Sequence, residues 1–130
     1  MSNIGKSLNS PDPGWIRFQE DDNNIEYIGS FENGYDCRYT NNMTDKKIIF
    51  NFTGSGIRLL GRRSTDRGNM FININKNLIL NFNQKSESLV ECGIDLEITG
   101  LTNTEHSLEI YGTGAYYFNA IDLLHGNSLK

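Results

Sequence analysis

Apolar and polar residues alternate along most of this chain. From Lys47, Ile48, Phe50 and Phe52 fall on one side of an extended segment, with Ile49, Asn51 and Thr53 on the other. A period of two with one apolar face predicts a strand half-buried in a sheet. Thr53-Gly54-Ser55-Gly56 breaks the pattern with residues that tolerate turns. Ile57-Arg58-Leu59-Leu60 resumes it as far as Gly61. The two runs predict a central antiparallel hairpin over residues 47–61.

The same reading gives further strands on both sides. Gly14 to Phe18 predicts an edge strand and carries the only tryptophan, Trp15, as a cap on the core. Ile25 to Phe31 and Tyr35 to Tyr39 flank a turn predicted at Asn33-Gly34. Met70 to Asn75 and Leu78 to Phe82 flank a turn at Lys76-Asn77. Leu89 to Ile98 predicts one long strand with Val90, Cys92, Ile94, Leu96 and Ile98 on one face. His106 to Tyr111 and Ala115 to Leu124 close the series around Gly112-Thr113-Gly114. About eight or nine short strands with no helical period predict an all-β, two-sheet antiparallel β-sandwich of the jelly-roll type. Residues 14–124 form the predicted domain. Residues 1–13, polar and holding both Pro11 and Pro13, predict a flexible leader, and residues 125–130 a polar tail.

Composition narrows the function. A chain of 130 residues suffices for one core. A net charge of −4 argues against nucleic acid, whose phosphates need neutralising, despite the local cluster of Arg62, Arg63 and Arg67. No run approaches the roughly 20 apolar residues of a membrane helix. No apolar segment near the start reads as a secretory signal. Cys37 and Cys92 lack metal-ligand spacing and read as free half-buried thiols, with a single disulfide as the open alternative.

Catalytic chemistry has little to stand on. The histidines are His106 and His125. His106, just before a strand, is expected to anchor the preceding loop by a hydrogen bond. No spacing singles out a carboxylate pair for glycoside hydrolysis. Sugar binding needs aromatic faces and planar polar groups, and two clusters supply them: Tyr35, Arg38 and Tyr39, and Tyr116, Tyr117 and Asn119. Arg62, Arg63 and Arg67 add charge suited to anionic sugars.

Several motifs in order resemble a galactose-binding-like jelly-roll module of phage tail and bacterial surface proteins, related to carbohydrate-binding modules. They are Gly14-Trp15-Ile16-Arg17-Phe18 with Ile25-Glu26-Tyr27, Phe50 to Leu59, Ile98-Thr99-Gly100-Leu101 with His106 to Ile110, and Asn119-Ala120-Ile121-Asp122. In such a module the first and last strands are neighbours. The resemblance therefore implies that Glu20, Asp21 and Asp22 can approach Asp122, a set of oxygens suited to a structural calcium. The expected function is a non-catalytic carbohydrate- or receptor-binding module of a cell surface or virion. It would recognise wall polysaccharide, take part in adhesion and join other subunits. The alternative is a structural spacer or oligomerisation module, with Met70 to Ile74 as its exposed edge.

Overall fold

The structure is a computed structural model that describes residues 3–125 and 128–129. The predicted leader's residues 1–2 and the predicted tail's residues 126, 127 and 130 lie outside the described residues. Twelve strands are described: β1 (Trp15–Gln19), β2 (Glu26–Ile28), β3 (Glu32–Gly34), β4 (Cys37–Thr40), β5 (Lys47–Gly54), β6 (Gly56–Arg63), β7 (Asn69–Ile74), β8 (Leu78–Asn83), β9 (Val90–Ile98), β10 (Thr104–Thr113), β11 (Tyr116–Leu124) and β12 (Ser128–Leu129). Among the described residues there is no helix, and the strands form two antiparallel sheets packed as a sandwich, as the alternation predicts.

One sheet has the order β3-β4-β11-β6-β9, with β1 beside β4 on the same edge of β11; the other has the order β12-β5-β10-β7-β8, with β2 on β5. The hairpin expected over 47–61 is therefore not a hairpin. β5 pairs with β10, β2 and β12, whereas β6 pairs with β11 and β9. The Gly54-Ser55-Gly56 turn carries the chain from one sheet to the other. Ile48, Phe50 and Phe52 then face Ile57 and Leu59 across one core. Both runs bury an apolar face, and facing sheets satisfy that as well as pairing does.

Local irregularities reset which side chains face inward. Tyr116 and Phe118 point into the core, and so do Ile121 and Leu123. That sequence requires one extra residue between them, and the register of β11 against β6 shifts between Phe118 and Ala120. The β6–β9 register shifts likewise between Leu59 and Leu60. The single apolar face expected for residues 90–98 is thus divided. Leu96 and Ile98 join the main core, while Cys92 and Ile94 form a small outer cluster with Leu60, Ala120 and Leu8.

Leu8 belongs to the segment expected to be a flexible leader. Residues 5–8 instead lie along β9: Gly5 donates to the Ile94 carbonyl, Ile94 to Lys6 and Leu8 to Cys92. Asp12 accepts a hydrogen bond at 2.8 Å from Arg58, whose guanidinium covers the Trp15 ring at 4.1 Å. The tryptophan is therefore half-buried beneath a cation on the outer face rather than a cap on the core. In the expected tail, Ser128 and Leu129 pair with β5.

The anchoring role of His106 holds. Its Nε2 lies 2.8 Å from the Thr102 carbonyl and its Nδ1 3.0 Å from Asn75 Nδ2. With the Asn75 amide donating to Nδ1, Nε2–H donates to the Thr102 carbonyl. The turn between β7 and β8 spans 75–77, with Asn75 and Lys76 at positive φ, one residue longer than expected. No described helix is long and apolar enough to cross a membrane.

Candidate functional site

The two-residue turn between β3 and β4 is Tyr35-Asp36, because Gly34 pairs with Cys37. Both turn residues have φ of 57°. Positive φ at both central positions is the type I′ geometry that suits a two-residue hairpin, but it favours Asn and Gly. A tyrosine there is strained. The Asn33-Gly34 pair, expected as the turn, lies within β3. The Tyr39 ring, diagonal to Gly34 across the hairpin, lies so close that an added Cβ would sit 3.3 Å from it.

The strained turn projects Tyr35, 56% exposed, over the outer face of the first sheet. Tyr35, Tyr39 and Tyr117 come together there, with Tyr35 5.8 Å from Tyr39 and 6.2 Å from Tyr117. Tyr39 and Tyr117 stack nearly parallel at 4.5 Å, and the Arg67 guanidinium lies 3.8 Å from the Tyr117 centroid. One face of Tyr117 cannot hold both partners, so both its faces are covered. One face of Tyr39 is covered by Tyr117. The Arg62 guanidinium covers Tyr35 at 4.0 Å. Tyr35 is the exposed ring of the three, whereas Tyr39 and Tyr117 are half-buried.

Beside this cluster lies a polar cleft of about 470 Å³. Asn119 is the key residue of its floor. It is the residue at the β11 register shift, 8% exposed, opposite the gap where β4 ends and β1 begins along β11. Its amide donates to the Asp36 carbonyl at 2.7 Å and accepts from Cys92 Sγ at 3.1 Å. Arg17 forms one wall and gives two hydrogen bonds, of 2.7 and 2.9 Å, to Asp122. Arg62, paired with Glu91, forms another. Glu20, Asp21, Asp36, Tyr35 and Cys37 complete the lining. Burial, then the charge of Asp21, raises the Glu20 carboxyl above its ordinary value.

Both cysteines line this cleft and both are free. Cys37 on β4 and Cys92 on β9 are separated by β11 and β6, three strand spacings or roughly 14 Å, twice the reach of a disulfide. Burial pushes the Cys37 thiol up to about 12 and raises that of Cys92. Both stay protonated near neutral pH and are poor nucleophiles.

The sequence-chosen residues separate into groups. Tyr35, Tyr39, Arg62, Arg67, Tyr117 and Asn119 meet at the cleft or its aromatic rim. Tyr116 does not: it is fully buried in the core. Arg63 is buried and bonded to Asp95 at 2.8 Å. Arg38 lies over the Tyr27 ring at 5.0 Å, away from the aromatic stack. The expected calcium set does not converge. Both oxygens of fully buried Asp122 are taken by Arg17, and Asp22 caps its own turn through the Asn24 amide. Among the described residues no three potential metal-ligating side chains gather.

Sequence reasoning missed Arg17, Glu91 and the two thiols as cleft residues. One signal was available: Tyr116 and Phe118 followed by Ile121 and Leu123 break strict alternation and mark the bulge at Asn119.

No protein-family model matches the chain. Over 109 residues it is 31% identical to an A type blood α-D-galactosamine galactosaminidase from Flavonifractor plautii; the match covers 77% of this chain and 10% of that protein. The chain thus spans about a tenth of the length of that relative. Among solved structures it resembles a family two carbohydrate esterase from Cellvibrio japonicus, with a TM-score of 0.65 and 12% identity over 89% of this chain and 35% of the other. It also resembles the salicylyl-acyltransferase SsfX3 of a tetracycline biosynthetic pathway, with a TM-score of 0.71 and 8% identity over 92% and 42%. These likenesses establish a β-sandwich shared with domains of carbohydrate-active proteins and, in SsfX3, with an acyltransferase.

Proposed function

We propose that this domain is a non-catalytic carbohydrate-binding module working outside the cell, on a cell surface or a virion, with polysaccharide as its ligand. One observation carries the reading: an exposed aromatic ring, Tyr35, stands at the rim of a cleft lined by planar polar groups from Arg17, Arg62 and Asn119. Sugars offer that arrangement an apolar C–H face and a ring of hydroxyls. The galactosaminidase segment and the esterase fold support a carbohydrate ligand. Glycan-array screening followed by calorimetry tests it. Binding to a defined glycan class, lost on Tyr35→Ala, is the expected result. No binding across wall polysaccharides and common glycans would remove the reading.

One observation favours a second reading, an oligomerisation module. β7 lies between β10 and β8, so the exposed edge is β8 rather than residues 70–74, and it shows Leu78 and Ile79 to solvent. Light scattering decides it: a stable oligomer without sugar binding supports this reading, and a monomer counts against it.

A further inference from the structure

We propose that the cleft selects a sugar unit bearing a positive charge, a hexosamine with a free protonated amine, over neutral and anionic sugars. This rests on the carbohydrate reading above and adds the ligand's charge to it. The feature is a cavity with an aromatic rim and a buried amide floor, and its charges are unevenly committed. Arg17 is neutralised by buried Asp122, and Arg62 by Glu91. Glu20, Asp21 and Asp36 have no cation within ion-pair distance among the described residues. The nearest unpaired cation is Arg38, which lines the adjoining hollow with the same three acids and lies over Tyr27. Three carboxylates against one guanidinium leave the region negative.

An ammonium entering the cleft gains attraction from groups already held together against their repulsion. A uronate adds to that repulsion, and a hydroxyl gains only hydrogen bonds. Burial raises the Glu20 carboxyl above its ordinary value, and the charge of Asp21 adds to it, while Arg38 opposes. The cleft volume lies within the range of small-molecule sites. Tyr35 is exposed to meet a sugar ring and Arg62 stands beside it, so the acids set charge preference while these groups set sugar recognition.

The test measures affinities of the purified chain at pH 6 and low salt for D-glucosamine, D-galactosamine, their N-acetyl forms, D-galactose and D-galacturonic acid. Calorimetry or amide chemical-shift titration gives the readout. The free amines are expected to bind about five- to tenfold more tightly than the neutral sugars, with the ratio shrinking at high salt. In the double variant Glu20→Gln, Asp36→Asn the ratio is expected to fall toward one; Asn tolerates the left-handed turn, so the hairpin is retained. A ratio near one in the parent chain, or galacturonate binding best, overturns the proposal while sugar binding stands. Calcium alone shifting the Glu20 and Asp36 signals, with no effect of the amines, also overturns it. Failure of all the sugars removes the carbohydrate reading as well.

Discussion

Replacing Tyr35 by glycine separates function from fold at one position. Left-handed backbone costs a non-glycine residue about 1–2 kcal/mol, and Tyr35 sits there with φ of 57°. Glycine removes that cost. The same change deletes the Arg62 contact, worth about 0.5–1 kcal/mol at a partly exposed site, and a tilted aromatic contact with Tyr39 of about 0.5 kcal/mol. Gains and losses nearly cancel, so stability is expected to stay within about 1 kcal/mol of the parent. Binding is expected to behave differently. Tyr35 offers the exposed aromatic ring, and losing it should weaken sugar affinity roughly tenfold. Urea denaturation and calorimetry on one preparation measure both quantities. Exchanging Tyr35-Asp36 for Asn-Gly, the preferred type I′ pair, should stabilise the hairpin by about 1–2 kcal/mol and again weaken binding. A Tyr35→Gly protein more than about 2 kcal/mol less stable, with unchanged sugar affinity, would show that the ring serves the fold and refute the reasoning.

Three further outcomes follow from buried polar groups. Tyr116→Phe should stabilise the domain by about 1 kcal/mol in a urea titration, because the Tyr116 hydroxyl is buried without a partner; its sugar affinity should not change. Asp122→Ala should cost about 3–5 kcal/mol by the same assay, since it leaves Arg17, largely buried, with no counter-charge. Asp95 gives a pH dependence. Burial pushes its carboxyl up to about 7, against the opposing Gln84 and Arg63 hydrogen bonds. The folded state then holds the proton more tightly than the unfolded chain. That contribution to stability is full below about pH 4 and is lost as pH rises toward 7. Carboxyl-carbon NMR of Asp95 checks it, and a midpoint near 4 would contradict it.

Legibility followed the physics of each signal. Alternation depends only on which residues avoid water, so the all-β sandwich could be read from Ile48, Phe50 and Phe52 onward. Pairing could not. The two runs around Gly54 and Gly56 bury their faces equally well as neighbours in one sheet or as partners across a core. The choice was made by β10 and β11, far along the chain. The candidate site was half legible. Residue chemistry found the tyrosines, Arg62 and Asn119. It could not know that Tyr116 points inward or that Arg63 is bound to Asp95, because both depend on side-chain direction after a bulge. The turn at residues 33–36 shows why local rules fail where they do. The chain carries the preferred Asn-Gly pair and uses its glycine to admit the Tyr39 ring, two residues from where a hairpin would use it. The turn itself falls to Tyr35 and Asp36, at a cost that the ring's contacts with Arg62 and Tyr39 only about offset. An exposed aromatic that brings the fold little net gain, held in a strained backbone conformation at the rim of a cleft, is where the proposed ligand would add one. That is the strongest physical reason to look for a sugar there.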